Sequence, residues 1–204
     1  MDGLDDTGRQ RCGVGWLCFI CDSKYVVFQK VLCRLSIHIR PVTADDHPSI
    51  RHIAQSAFAG TDEVKLVDAL RTGGWVIAEL VAEVDDQIVG HVLFSRIALA
   101  TQTRRISLVS LAPVAVLPDY QKQGIGSRLI RSGLKQLQDQ GESVVVVLGH
   151  PEYYPRFGFS AELAQSLHSP FSGKPAWMAL EIHSGALKDI QGQVEYSPPF
   201  SAFD

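Results

Sequence analysis

A glycine-containing segment in the second half of the chain has the clearest chemical potential in this sequence. Gly124 and Gly126 lie between an apolar run that ends at Val116 and an amphipathic pattern that contains Ile125 and Leu129. A strand, a turn and a helix N-terminus in this order leave main-chain N–H groups that the helix does not use. The helix dipole adds about 0.3–1 kcal/mol for each bound charge, and glycine lets ligand oxygens approach the backbone closely. The segment therefore predicts a binding site for a diphosphate.

The spacing around the two glycines distinguishes three kinds of nucleotide site. A phosphate loop of the kinase or GTPase type needs Gly-x-x-x-x-Gly-Lys-Ser/Thr, and no lysine stands between Gly126 and Ser127. A dinucleotide fold needs Gly-x-Gly-x-x-Gly directly after the strand, whereas Leu129 holds the third position here and residues 117–123 intervene. What remains is Gln-x-x-Gly-x-Gly after a strand that ends in Ala-Val-x-Pro. Because Gly-x-Gly also occurs in ordinary loops, the surrounding residues must decide.

Pro113 interrupts the apolar run before the glycine turn, within residues 111–116. Proline has no N–H group for a sheet ladder, so inside a strand it marks a bulge, a break or an edge. We expect a bulge here, with an edge strand as the alternative.

A second segment follows further along the chain. Residues 143–148 form a short β-branched run that is typical of a strand buried on both faces, and Gly149-His150-Pro151 ends it. Glu152-Tyr153-Tyr154-Pro155-Arg156-Phe157-Gly158-Phe159 comes next. From the residues alone, we expect Tyr153 to pack its ring at a helix–sheet junction and His150 to act as a turn residue.

Together, the two segments resemble those of the GNAT superfamily of N-acetyltransferases. Gln-x-x-Gly-x-Gly is similar to the acetyl-CoA signature of that family, and the second segment is similar to its short helix after the fifth strand. In that helix a tyrosine stands four residues before Gly-Phe, a place that Tyr154 holds here. The resemblance extends from residue 37 to about residue 203. The pairing of Leu-Ala-Pro-Val-Ala-Val-x-Pro with Gly-His-Pro-Glu-Tyr-Tyr-x-Arg-Phe-Gly-Phe also resembles a narrower group, the bacterial acetyltransferases of the YhbS type.

The resemblance implies an N-acetyltransferase with acetyl-CoA as co-substrate, whose acetyl group passes to a primary amine by direct attack in a ternary complex. The acceptor would be a small molecule or a peptide amine. Tyr154 is the implied catalytic residue, a proton donor to the departing thiolate, and phenol and thiol pKa values near 10 and 8.5 are close enough for this transfer. Lys122 and Arg128 are also candidate partners of the ligand's 3′-phosphate. The implied acetyl-CoA contacts are Val114, Ala115, Val116, Gln121, Lys122, Gln123, Gly124, Ile125, Gly126, Ser127 and Arg128.

Several features of the reaction stay open at this stage. The base that deprotonates the amine could be Glu79, Glu83, His91 or Ser110, or a chain of water molecules. Loops 58–64 and 168–175 are expected to shape the acceptor pocket. The same fold could also serve a non-catalytic acyl-CoA-binding regulatory protein, or an acyltransferase that uses longer acyl-CoA.

Charge and cysteine content argue against several partners. The net charge is −3 without a basic block, which disfavours a nucleic-acid binder. All four cysteines (Cys12, Cys18, Cys21 and Cys33) precede residue 37, and Cys18-x-x-Cys21 has no second pair at ligand spacing, so we expect no metal. Residues 12–21 are apolar but too few to span a bilayer, and acidic residues precede them. We therefore predict a cytoplasmic protein without a membrane partner, and a homodimer stays open.

The order of elements predicts an α/β (α+β) fold. Strands are expected at residues 37–41, 75–84, 88–98, 106–116, 143–148, 176–182 and 193–196, with helices between them. We expect a single GNAT-like domain over residues 37–204, with a mixed sheet of about six to seven strands, helices on both faces and a splayed cleft between strands four and five. Residues 1–36 form an N-terminal extension that is expected to pack poorly.

Overall fold

The computed structural model describes residues 36–58 and 60–203. The predicted poor packing of the N-terminal extension and the predictions for its cysteines lie outside these residues. Within the described ranges, no helix is both long enough and apolar enough to cross a membrane.

Eight strands and three α-helices make up the described part of the chain. Four short 3₁₀ helices, Ala44–Asp46, Pro118–Tyr120, Tyr154–Phe157 and Pro198–Phe203, connect or end them. In chain order the elements are β1 (Ile37–Pro41), α1 (His47–Phe58), α2 (Asp62–Thr72), β2 (Val76–Val84), β3 (Gln87–Ala100), β4 (Arg105–Val116), α3 (Ile125–Asp139), β5 (Val144–Leu148), β6 (Leu167–His168), β7 (Trp177–Glu181) and β8 (Gly192–Glu195).

The strands form one mixed sheet in the order β1-β2-β3-β4-β5-β7, and β8 pairs with both β3 and β6. Along the main path only β4 and β5 run parallel. The predicted α/β fold with one mixed sheet is confirmed. The expected strand number was slightly low, because β6 has only two residues and no periodicity can mark so short a strand.

The β2–β3 hairpin shows how local sequence sets the register of the sheet. Asp85 and Asp86 both adopt left-handed backbone conformations, with φ of 49° and 61°. Two such residues give the primed turn whose twist matches that of the flanking strands, and Asp tolerates this conformation better than most residues do. β2 and β3 therefore form a hairpin, with β3 beginning at Gln87.

Helices cover both faces of the sheet. Leu93 packs with residues of α1 and α2, whereas its neighbour Phe94 lies against Gly133 of α3. Because successive side chains of a strand point to opposite faces, α3 must lie on the face opposite α1 and α2. A Cβ at Gly133 would clash with the ring of Phe94, so this glycine permits the close approach of α3 to the sheet.

Polar residues begin the first helices. Thr61 holds the N-cap position of α2, and Asp62 is the first helical residue, where its charge favours the helix dipole. Thr43 precedes the short helix that leads into α1, and its N–H and hydroxyl both donate to Asp46. Asp46 also accepts a bidentate pair of hydrogen bonds from Arg40 at 2.7 and 2.8 Å, which ties this entrance to β1.

Candidate active site

The sheet opens between β4 and β5. These strands pair only at Val109 with Val145 and at Ser110 with Val146, although β4 continues to Val116 and β5 to Leu148. Beyond that point the main-chain edge of β4 does not pair with β5. The predicted splay between the fourth and fifth strands is thus present.

A bulge in β4 lies at the opening. On β3, Val92 pairs with Val114 and Phe94 with Leu111, so Leu93 alone lies opposite Ala112 and Pro113. The peptide bond between Ala112 and Pro113 is cis. The bulge that Pro113 predicted is therefore confirmed, because a residue without an N–H group cannot continue the ladder.

The turn between β4 and α3 leaves its main-chain N–H groups free. Lys122 and Gly124 adopt left-handed conformations, with φ of 60° and 84°. Arg128 is the first residue whose N–H donates into the helix, to the carbonyl of Gly124 at 3.0 Å. Within the described part of the chain, the N–H groups of residues 122–127 donate no hydrogen bond. Six consecutive donors at a helix N-terminus suit an anion.

A cavity of about 520 Å³ lies beside these N–H groups. It brings together the end of β4, the glycine turn and the residues that follow β5. The lining residues are Val114, Val116, Tyr120, Gln121, Lys122, Gly124, Ile125, Gly126, Ser127, His150, Tyr153, Tyr154 and Arg156.

Most of the predicted ligand contacts line this cavity, but three do not. Ala115 pairs with His91 of β3 in the sheet. Its side chain is buried because the pleat turns it to the face opposite the side chains of Val114 and Val116. The side chain of Gln123 donates to the carbonyl of Asp119, and Arg128 is exposed outside the lining.

Gln121 lines the cavity, but its side chain supports the turn. Its Nε2 donates to the carbonyl of Val116 at 3.0 Å, and its main-chain N–H donates to Pro118. The main-chain N–H and one of the two side-chain N–H donors of Gln121 therefore hold the turn together, which leaves one side-chain donor for a ligand.

Tyr154 lines the cavity from the β5 side and is only 9% exposed. Its ring lies against Gly149, where a Cβ would clash with it, and against Phe159 with centroids 5.7 Å apart. Burial, followed by the neighbouring Tyr153, raises the pKa of Tyr154 to about 12. The phenol is therefore neutral, and it carries a proton that it can donate.

Tyr153 packs as expected and also reaches the glycine turn. Its ring makes edge contacts with Tyr154 and Phe157, each at 5.3 Å between centroids. Its hydroxyl lies 3.3 Å from Oγ of Ser127. The guanidinium of Arg156 lies over the ring, 4.7 Å from its centroid. Sequence reasoning missed Arg156, because only the fold carries it from the segment after β5 to the cavity.

The candidate bases lie elsewhere. Glu79 accepts hydrogen bonds from Arg71 and lies 2.6 Å from Nε2 of His91, which is fully buried. Burial would raise the pKa of Glu79, but the hydrogen bonds from His91 and Arg71 outweigh it and lower that pKa. Burial lowers the pKa of His91, although Glu79 opposes the shift.

Among the other candidate bases, Glu83 pairs with Arg40. The cavity lining includes none of the four candidates Glu79, Glu83, His91 and Ser110.

Metal ligation finds no support in this part of the protein. Among residues 36–58 and 60–203, no group of three or more His, Cys, Asp or Glu side chains could hold a metal ion.

An opened mixed sheet beside a helix with free N–H groups is the arrangement that the sequence predicted, and comparison with known families agrees with that prediction. The sequence matches the family described as "Acetyltransferase (GNAT) domain" over residues 38–161. The chain therefore belongs to the GNAT acetyltransferase family and is an acyltransferase.

Similar proteins support this assignment over most of the chain. The uncharacterized N-acetyltransferase YhbS of Escherichia coli strain K12 is 34% identical over 160 residues, which are 78% of this chain and 95% of YhbS. A crystal structure of E. coli YhbS in complex with CoA has a TM-score of 0.76 and 33% identity, covering 83% of this chain and 94% of that one. A GNAT acetyltransferase from Brucella melitensis in complex with acetyl-CoA has a TM-score of 0.67 and 34% identity, covering 80% and 97%. The predicted resemblance to the YhbS type is confirmed.

Proposed function

We propose that this chain transfers an acetyl group from acetyl-CoA to a primary amine of a small molecule or peptide, by direct attack of the amine in a ternary complex. The proposal depends above all on the N–H groups of residues 122–127, which are free within the described part of the chain and adjoin the cavity. The two similar proteins crystallised with CoA and acetyl-CoA support the same ligand class here.

The cavity residues fit a ligand that carries a diphosphate and an amide-containing arm. The free N–H groups would hold the diphosphate, and Lys122 adds a positive charge to the lining. The edge of β4 at residues 114–116, unpaired with β5, can bind the arm as if it were an additional strand. The ligand would then run from the glycine turn into the opening between β4 and β5.

The chain's own residues would supply positioning, charge stabilisation and one proton. Acetyl-CoA brings a thioester whose carbonyl carbon an amine can attack. A main-chain N–H group at the β4 bulge would stabilise the negative charge that develops on the carbonyl oxygen. Tyr154 would protonate the departing thiolate, and the proton that the attacking amine loses would pass to water, since none of the four candidate bases lines the cavity. Alignment of two bound reactants can contribute roughly 7–11 kcal/mol to lowering the barrier.

A panel of amines tested with acetyl-CoA, and read by release of free thiol, tests the proposal. We expect thiol release above the hydrolysis background with a subset of small amines or peptides, together with a mass increase of one acetyl group on the amine. Tyr154→Phe serves as the matched control, because it should bind CoA normally and release thiol slowly.

The alternatives correspond to other outcomes of the same panel. Saturable CoA binding without thiol release from any amine would contradict catalysis and favour an acyl-CoA-binding regulatory protein. Faster thiol release with a longer acyl-CoA than with acetyl-CoA would show that the longer acyl-CoA is the donor. The cytoplasmic location and the absence of metal and nucleic-acid partners stay predictions of the sequence. The sequence also leaves open whether the protein forms a homodimer.

A further inference from the structure

The β5 side of the cavity faces the glycine turn with two polar side chains, Tyr153 and Arg156, to which the sequence assigned no ligand contact. Tyr153 follows β5, yet its hydroxyl lies 3.3 Å from Oγ of Ser127 in the first turn of α3. The same hydroxyl lies 3.1 Å from the position that a Cβ on Gly126 would occupy. It therefore stands directly beside residues whose N–H groups are free.

Arg156 brings a positive charge to the same place. Its guanidinium lies over the Tyr153 ring and lines the cavity, and it has no carboxylate partner in the described residues. Stacking on an aromatic ring restricts the arginine, and its remaining N–H donors stay available although Nη2 donates to the carbonyl of Glu152 at 3.5 Å. Arg131 makes a comparable contact with Phe157 at 5.1 Å, but it does not line the cavity beside the glycine turn; it lines a neighbouring one, which Arg156 also borders.

We propose that Tyr153, Ser127 and Arg156 form a second set of phosphate donors, so that the diphosphate of the acyl carrier is held between main-chain N–H groups of residues 122–127 and these three side chains. Hydroxyl and guanidinium groups are donors that suit phosphate oxygens, and a guanidinium can donate twice to one phosphate. The inference rests on the proposed function, since it assumes that a CoA ester occupies this cavity.

In this arrangement, binding of the diphosphate also affects the position of Tyr154, the proposed proton donor. Tyr153 precedes Tyr154 in the chain, and their rings touch edge to face. A phosphate held by Tyr153 therefore restrains the short segment that positions Tyr154. Both tyrosines thus act in the same cavity, with Tyr153 at the diphosphate and Tyr154 at the sulfur.

Calorimetric titration of the full-length chain with CoA, dephospho-CoA and pantetheine tests the proposal. Tyr153→Phe keeps the ring and removes the hydroxyl, and Arg156→Gln removes the charge. Each should weaken CoA and dephospho-CoA binding about tenfold, the loss of one charge-assisted contact, and leave pantetheine binding unchanged. Arg131→Gln, the matched control, should leave all three affinities unchanged.

Each other outcome has a distinct meaning. Equal weakening of pantetheine by Tyr153→Phe would show that the hydroxyl only maintains packing, and this would overturn the proposal. An Arg156→Gln effect that disappears with dephospho-CoA would assign the arginine to the 3′-phosphate and remove it from this set. If the unaltered chain binds CoA and Tyr153→Phe binds it equally well, this inference fails alone. If the unaltered chain binds no CoA at all, the proposed function fails with it.

Discussion

Burial keeps the phenol of Tyr154 neutral, and the same burial would affect the thiol that accepts its proton. A phenol with a pKa near 12 is a weak acid toward a thiolate in water, where a thiol has a pKa near 8.5. The same dry surroundings that raise the pKa of the phenol would also raise that of a thiol bound beside it. The proton can therefore pass to the sulfur as the negative charge appears there.

Replacing Tyr154 with Phe tests this residue alone. Because the ring would still pack against Gly149, we expect CoA affinity to change little. Turnover should fall by about 10²–10⁴-fold, the usual contribution of a general acid. Thiol-release kinetics measure turnover, and calorimetry measures CoA affinity. Full activity of the variant would assign Tyr154 to packing.

At the scale of elements, the glycine turn and α3 determine whether a diphosphate can bind. Gly126→Glu adds a side chain toward the hydroxyl of Tyr153 and a negative charge against the bound phosphates. We expect CoA binding to be lost while the melting temperature stays within a few degrees. Gln138→Glu adds the same charge to an exposed position further along α3 and should bind CoA normally. Unchanged CoA affinity in Gly126→Glu would refute the site.

The same elements show what a sequence can and cannot predict. Pro113 predicted the β4 bulge because a missing N–H group has a direct local consequence. Ala115 was predicted as part of the β4 edge at residues 114–116, and strand alternation turns only its side chain away from those of Val114 and Val116. Arg156 enters the cavity by stacking on Tyr153, and Arg128 leaves it because of its position on the helix surface. Contacts of this kind depend on tertiary packing, which no motif encodes.

At the scale of the whole molecule, buried ionic groups link stability to pH. Burial lowers the pKa of His91 in the folded state, so below about pH 6.5 the unfolded chain binds more protons. Hydrogen bonding to Arg40 lowers the pKa of Asp46, and the net pKa of Glu79 is also lowered. These carboxylates stabilise the fold above about pH 4 and lose that contribution as the pH falls further.

Urea unfolding between pH 3 and pH 8 measures this dependence. We expect the free energy of unfolding to fall as the pH drops below about 6.5, and to fall again below about 4. His91→Gln removes the first titration, so its free energy should change less between pH 7 and pH 5. An identical slope in the variant and the unaltered chain over this interval would contradict the assignment to His91.

The N-terminal extension concerns the molecule as a whole. The family match begins at residue 38, and the strands and helices from residue 37 onward form their own sheet and cores. A chain that lacks residues 1–36 and begins at Ile37 should therefore melt within a few degrees of the full chain and bind CoA with similar affinity. Thermal unfolding and calorimetry provide the comparison. Loss of solubility on truncation would show that the extension is structural.

Amide chemical shifts of the ¹⁵N-labelled chain during a CoA titration measure the anion-binding turn most directly. We predict saturable shifts at the N–H groups of residues 122–127, with a smaller response at residues 131–139 further along α3. Pantetheine, which lacks the diphosphate, should leave the turn resonances in place. Saturable CoA binding with unmoved turn amides, or with shifts confined to another surface, would contradict the account.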